Sequence, residues 1–468
     1  MPGPRGARAV RRLGARVPGL VLLVRQVRAW VGEPETLREV AAEARLLLRD
    51  PRPRTSLAEV EELVAVAERA HRLGLQQWAV ALLHHPALVP RSPRPVVLAR
   101  RRLAAGRPVH PTAVRRAFER LAGQAPRRWL EEPIAVGSGS DVEAVVRHRV
   151  PGADVRTVLD GPGRTRPLSL VRKTLAGPVP RELLAYRSGL LEGGERYRPS
   201  RLLHAEPDGA DRWHLFLEDL GEVRPLQDPA ELLLAARALG ELNGRRLVPA
   251  GAAGDLHDEH PWLAEVGRWT LPPFAELRRR AGVLAGRVPG DVRHRCADQL
   301  AALAEAEDEL TRQVAGLPLT TSHGDATRSN LAVRDGRLVL FDLTAVQLTP
   351  VGRDLADLIG LPNPVLGREP GLAGDCHRAY RDGLTDAGVR IGEDEVGLAV
   401  RSRFVRKAYW WLLMTIPRRL PAGAGSEVPE RRRQNIVADL QRVAAEAELL
   451  LDALTRPGAS SRGRQLTV

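Results

Sequence analysis

Two carboxylates and one amide stand at fixed offsets in one stretch of this chain, TTSHGDATRSNLAVRDGRLVLFD. Asp325 comes first and Asn330 lies five residues on. Asp342 ends the apolar run Leu338-Val339-Leu340-Phe341. Moving a phosphoryl group from a nucleotide calls for such a set. One carboxylate orients the acceptor hydroxyl and takes its proton, while an amide oxygen and a second carboxylate hold Mg²⁺ against the phosphates. Magnesium takes few protein oxygens and keeps several of its waters, so Asn330 and Asp342 suffice. An Asp-x₄-Asn pair alone would read as polar residues of an ordinary hairpin. His323-Gly324 before it, and an apolar strand ending in Asp after it, make the pattern far more specific.

Three elements must position these groups. Leu338 to Phe341 reads as a strand, and Asp335-Gly336 before it is a strong hairpin signal. The stretch therefore folds as loop, strand, turn, strand. The hairpin returns Asp342 to the side of Asn330, with Asp325 nearby. Upstream, Ile134-Ala135-Val136 and Val145-Val146 flank Gly137-Ser138-Gly139, a strand–turn–strand whose backbone N–H groups suit a phosphate. Asp160-Gly161-Pro162-Gly163 turns into a further strand, Leu168 to Lys173.

Lysine is informative in this chain. Of 71 basic residues only two are Lys, at 173 and 407; the rest are Arg. A lysine retained against that bias marks a site where a planar guanidinium will not serve. Lys173 sits on a strand, on the face of Val171, which suits contact with nucleotide phosphates. Pro180 opens a helix whose first turn carries Glu182, the expected partner of Lys173; Glu192 and Glu195 are alternatives. Lys407 gains no role from the sequence.

At His323, Gly324, Asp325, Asn330 and Asp342 the chain resembles the aminoglycoside phosphotransferase and choline kinase family of kinase-like enzymes. The resemblance covers roughly residues 131–455. It implies an α+β, bilobal protein kinase-like fold: a sheet-rich lobe over 131–220, a hinge near 220 and a helical lobe over 221–455. It also implies ATP and Mg²⁺ as cofactors. Asp325 is then the catalytic base, Asn330 and Asp342 the metal ligands, and Lys173 with Glu182 the phosphate anchor. Adenine meets the backbone around Glu218 to Leu220, at the end of the strand Trp213–Leu217. Asp354, in Gly352-Arg353-Asp354, is implied as a structural anchor behind the site. The chain departs from the family pattern in the stretch from Asp342 to Gly352, which is slightly longer than usual, and at three residues. Leu343 and Thr344 follow Asp342 where Trp and a polar or acidic residue are usual, and Asn243 stands where His is common.

Outside that span, residues 1–35 form a basic extension and 36–130 an additional N-terminal all-helical region. Leu57, Val60, Leu63, Val64 and Ala67 share one helix face, and Pro111–Ala122 reads as a further helix. The tail, 456–468, reads as disordered. The apolar run Tyr409 to Met414 reads as core packing. Composition narrows the function. The net charge of +14 invites a nucleic-acid partner, but the Arg residues are spread along the whole chain and aromatics are 4%, too few for base stacking. We therefore expect no nucleic-acid partner. A basic amphipathic N-terminal helix on an anionic membrane is the lesser reading of residues 1–35, so membrane contact is not expected. Two distant cysteines form neither a disulfide framework nor a metal spacing, as in a reducing cytoplasm. The expected activity is transfer of the γ-phosphoryl of ATP to a hydroxyl on a small molecule. A sugar or glycan-linked hydroxyl is preferred over an amino alcohol or aminoglycoside. The rival is a non-catalytic kinase-like module that docks a protein partner through residues 36–130.

Overall fold

Short alternating segments and long amphipathic ones divide this chain into a sheet-rich part and a helical part. The computed structural model describes residues 66, 111–134, 142–155, 166–176, 179–208, 212–221, 223–248, 256, 258–263, 271–369, 371–420 and 429–455. In chain order these give α1 (Pro111–Ala122), β1 (Leu130–Ile134), β2 (Val142–Val155), β3 (Arg166–Ala176), α2 (Arg181–Ser188), β4 (Tyr197–Pro199), β5 (Leu202–Pro207) and β6 (Arg212–Glu218). There follow α3 (Pro229–Arg245), β7 (Leu247–Val248), α4 (Phe274–Arg280), α5 (Gly290–Glu305), α6 (Glu307–Ala315), β8 (Leu319–Ser322), β9 (Leu331–Arg334), β10 (Arg337–Leu340) and β11 (Gln347–Pro350). The described residues end in α7 (Arg353–Leu358), α8 (Leu372–Asp386), α9 (Glu393–Arg419) and α10 (Glu430–Thr455). The fold is α+β, as read from the sequence. The basic extension, the helices expected before residue 111, the Gly137-Ser138-Gly139 turn and the tail lie outside the described residues. No helix among the described residues is long and apolar enough to cross a membrane.

The chain divides into two compact units, and one boundary falls between Asp219 and Leu220. The first unit holds a five-stranded sheet in the order β1-β2-β3-β6-β5. Strands β1 and β2 pair antiparallel, as do β3 and β6, with Lys173 opposite Leu215 and Leu170 opposite Glu218. Successive strand residues point to opposite faces. One face therefore carries Leu168, Leu170, Arg172 and Thr174, and the other carries Lys173. Helix α1 lays Ala113, Val114, Ala117 and Phe118 on the first face, against Leu168, Leu170, Leu203 and Phe216. Those four positions follow helical spacing, which is why one side of α1 is wholly apolar. Burying a side chain such as Phe118 contributes about 2–3 kcal/mol. The same face buries polar groups. Thr174 Oγ1 lies 3.1 Å from His214 Nδ1, and the rings of His148 and Phe216 are 6.5 Å apart. Burial, and then the charge of Arg172, lowers the pKa of His148 to about 3 and of His214 to about 4.

The second unit is mainly helical. Asp228 caps α3, with Glu231 completing a capping box and a proline in the first turn. Helices α3 and α8 cross at two glycines. A Cβ on Gly240 would lie 2.0 Å from Tyr380 O, and one on Gly383 would lie 2.0 Å from Arg237 O. Only hydrogen fits at that crossing, and the close approach brings Tyr380 to the end of α3. Two three-stranded sheets complete the unit, β4-β10-β9 and β11-β8-β7. They carry the loop and the hairpin of the motif. Helix α2 packs on the 3₁₀ turn Leu343–Ala345, and Arg181 donates to Val346 O at 2.5 Å.

Candidate functional site

The motif is built as the sequence indicates. Strands β9 and β10 pair in antiparallel register, Arg334 opposite Arg337. The turn between them holds Asp335 at φ 52° and Gly336 at φ 72°. Two successive residues with positive φ are what a tight hairpin twisted like its strands requires. The hairpin ends beside the loop that starts it: Phe341 N–H donates to Asn330 O at 3.3 Å. His323 Nε2–H donates to Phe341 O at 3.0 Å, which leaves Nδ1 to accept the Asp325 N–H at 3.4 Å. Asp342 follows in the left-handed region, φ 58°, a conformation Asp tolerates better than most residues.

Asp325 and Asn330 are in direct contact. Asn330 Nδ2 donates to Asp325 Oδ2 at 2.9 Å and to Asp325 O at 3.0 Å. The amide nitrogen is thereby committed to Asp325, and Oδ1 is turned away from it. Thr344 Oγ1 donates to Asp342 Oδ1 at 3.3 Å. The departures after Asp342 thus have a physical account. Leu343 is fully buried in the core of the helical unit, and Thr344 supplies a hydroxyl to the carboxylate. The donor set fits Mg²⁺: one amide oxygen and one carboxylate, both hard ligands. Among the described residues no three His, Cys, Asp or Glu side chains converge as a metal cluster.

Beneath the loop lies Asp354, fully buried at the start of α7. Its Oδ1 accepts Ser322 Oγ at 2.6 Å and Gly324 N–H at 3.0 Å. Its Oδ2 accepts His323 N–H at 3.0 Å and Asn243 Nδ2 at 3.1 Å. This carboxylate ties down the three residues before Asp325. Asn243 is the hub behind it: its Oδ1 accepts Tyr380 OH at 2.7 Å, and Tyr380 OH accepts Gly352 N–H at 2.9 Å. Burial and the nearby Asp354 raise the Tyr380 pKa well above its ordinary value, so the phenol stays a donor. Gly324 has φ +79°, and a Cβ there would meet Ala345 O at 2.0 Å.

A residue to which the sequence attaches no role stands at the Asp325 carboxylate. Lys407 Nζ on α9 lies 3.4 Å from Asp325 Oδ1 and 2.7 Å from Asp357 Oδ1. Asp357, on α7, is fully buried. Burial would raise its pKa, but the charges of Lys407, Arg403 and Arg353 outweigh that and lower it to about 2. Its rarity was the signal for Lys407, the same signal that singles out Lys173. The apolar run beside it divides. Tyr409, Leu412 and Leu413 are buried as core, whereas Trp410 and Met414 are 36% and 41% exposed.

The remaining candidate residues fall in both units. Lys173 is buried on β3 and Glu218 is buried at the end of β6; the register puts their side chains on opposite sheet faces. Glu182 is 1% exposed in the first turn of α2, in the second unit. Leu220 packs with Ala332 and Val339, and its carbonyl accepts Arg334 Nη2 at 2.9 Å. Asp325, Asn330 and Asp342 lie together in the second unit, while Lys173 and Glu218 belong to the first.

No family model matches the chain, and no curated protein matches it by sequence. Solved structures do. An aminoglycoside phosphotransferase from Alicyclobacillus acidocaldarius is 14% identical, at a TM-score of 0.38, covering 69% of this chain and 91% of its own. A choline/ethanolamine kinase family protein from Mesorhizobium loti is 17% identical, at 0.38, covering 69% and 92%. An ethanolamine kinase from Plasmodium vivax is 10% identical, at 0.38, covering 68% and 83%. The chain is thus similar to aminoglycoside phosphotransferases and to choline and ethanolamine kinases.

Proposed function

We propose that this chain is a small-molecule kinase that moves the γ-phosphoryl of ATP to an acceptor hydroxyl. The observation that carries the reading is the Asp325–Asn330 pair, held on a buried carboxylate frame and closed by the hairpin that ends at Asp342. Asp325 orients the acceptor hydroxyl and takes its proton as the new P–O bond forms. Asn330 positions Asp325 with its amide nitrogen and turns its oxygen outward. That oxygen and the Asp342 carboxylate would hold Mg²⁺. When bound, the magnesium nucleotide supplies the phosphoryl group, and its metal neutralises phosphate charge. Lys173 is assigned to the α- and β-phosphates with Glu182 as its partner. Gly137, Ser138 and Gly139, which lie outside the described residues, are assigned to the phosphates, and backbone groups around Glu218 and Leu220 to the adenine. Most of the rate then comes from positioning and charge neutralisation. The setting we infer is the reducing cytoplasm, in keeping with Cys296 and Cys376 as buried free thiols. The acceptor class we favour is a sugar or glycan-linked hydroxyl.

The test is nucleotide turnover against a library of hydroxyl compounds, run in parallel with Asp325→Ala. The reading requires acceptor-dependent ADP release from the native chain and none from the variant. Equal release from both proteins would remove the enzyme claim.

A further inference from the structure

We propose that Lys407 makes the acceptor subsite beside Asp325 selective for uncharged hydroxyl compounds and hostile to amines. The inference rests on the kinase reading above and adds the class of acceptor. An incoming hydroxyl must approach Asp325. One oxygen of that carboxylate is taken by Asn330, and the other faces the Lys407 ammonium at 3.4 Å. Whatever presents its hydroxyl there does so within a few ångströms of a fixed positive charge.

The charge is fixed because it is pinned from behind. Lys407 Nζ holds Asp357 Oδ1 at 2.7 Å, and Arg403 Nε approaches the same oxygen at 3.5 Å. Asp357 is fully buried and is kept ionised by those cations, so it secures Lys407 yet cannot itself greet a ligand. An ammonium can sit between two carboxylates as a compact point charge where a forked guanidinium could not. In a chain that uses Arg at 69 of its 71 basic positions, this is a reason for lysine here. An acceptor with an amine one or two bonds from its hydroxyl would bring a second cation to roughly 5 Å from Nζ. The Asp325 carboxylate attracts that cation from a similar distance, but Lys407 offsets the attraction, so the ammonium would lose its hydration uncompensated and bind about tenfold or more weakly.

The same helix face offers an apolar surface further along. Lys407, Trp410 and Met414 are three and four residues apart, so they line one side of α9. Trp410 and Met414 are two of the few large apolar side chains exposed among the described residues. A flat indole one turn from Lys407 suits the C–H face of a sugar ring, with the reacting hydroxyl turned toward Asp325.

The experiment uses the full chain, Mg-ATP and hydroxyl compounds in matched pairs, each neutral compound with its amine-bearing counterpart. Glucose with glucosamine and galactose with galactosamine are examples. ADP release and product mass give kcat/KM for each. The native chain is expected to favour the neutral member by about tenfold or more. Lys407→Met and Lys407→Gln, which both remove the charge, are each expected to narrow that ratio to within about threefold. A native chain that favours the amine overturns the proposal even if Lys407→Met does not fold. So does a folded Lys407→Met with the native ratio. Absence of Mg-dependent ADP formation with every acceptor would overturn the kinase reading itself, and the proposal with it.

Discussion

Asp354→Asn removes the support under the loop that carries Asp325 while changing almost no volume. The carboxylate is fully buried and receives four donors: Ser322 Oγ and Gly324 N–H on one oxygen, His323 N–H and Asn243 Nδ2 on the other. An amide at that position replaces one oxygen with a donor. With the amide nitrogen toward Ser322, that hydroxyl can turn to accept and Gly324 N–H keeps only Ser322 Oγ at 3.0 Å; the other way, His323 N–H and Asn243 Nδ2 both face an N–H group. Each buried donor left without an acceptor costs about 1–3 kcal/mol, so the loss is about 1–6 kcal/mol. A domain is typically stable by only about 5–15 kcal/mol, so the variant should be visibly weakened. Three of the four donors belong to the three residues before Asp325, so that carboxylate moves as well. A displacement of about 1 Å at a reacting group costs roughly 100-fold in rate. Urea unfolding followed by circular dichroism, with turnover measured on the folded fraction, reads both effects. Asp325→Asn is the contrasting variant. Its side chain is 25% exposed, so its stability should stay within about 1 kcal/mol of the native chain while turnover is lost. An Asp354→Asn protein within 1 kcal/mol of native, at full activity, would refute the reasoning.

Four further outcomes are expected. Gly324→Ala should keep its circular dichroism but lose most turnover. The added Cβ meets Ala345 O at 2.0 Å and the backbone is left-handed there, so the loop must shift. Phe118→Ala should cost about 3–5 kcal/mol in the sheet-rich unit, because α1 is held to the sheet by that fully buried ring; a change below 1 kcal/mol in thermal unfolding would contradict that docking. The pH dependence should come in two windows. His148 and His214 have pKa values lowered from 6.5 to about 3 and about 4, so their contribution is whole above pH 6.5. It should fall by about 1.4 kcal/mol per histidine per pH unit as pH drops toward those values, and His148→Phe should flatten the slope. Asp357, lowered from 3.8 to about 2, contributes about 2 kcal/mol above pH 4 that is lost only as pH falls toward 2, so Asp357→Asn should leave the pH 6 to 4 slope unchanged.

What the sequence discloses is what lies close together along it. His323, Asp325, Asn330 and Asp342 fall within twenty residues, and the Asp335-Gly336 turn sets the register that joins them. Helix α1 shows itself by its spacing, with the bounds 111–122 read directly. The contacts that complete the site are long-range. Asn243 reaches Asp354 across 111 residues, and Lys407 reaches Asp325 across 82. Neither has a local pattern, because a helix face does not say which element it will meet. For Lys407 the only trace was its rarity. For Asn243 it was a departure from the resembled family, which reads as a loss until the structure shows the amide bonding both Asp354 and Tyr380. In the run from Tyr409 to Met414 the apolar composition hides which side faces solvent. The exposure of Trp410 and Met414 depends on what packs against α9, and the run itself does not encode that.

The most direct measurement is ³¹P NMR of ATP with Mg²⁺ and an accepted hydroxyl compound, for the native chain and for Asp325→Asn. The account predicts loss of the γ-phosphate signal matched by a new phosphomonoester in the native chain. It predicts neither change without Mg²⁺, and neither in the variant. A phosphomonoester formed equally by Asp325→Asn, or formed by the native chain without divalent metal, would contradict it.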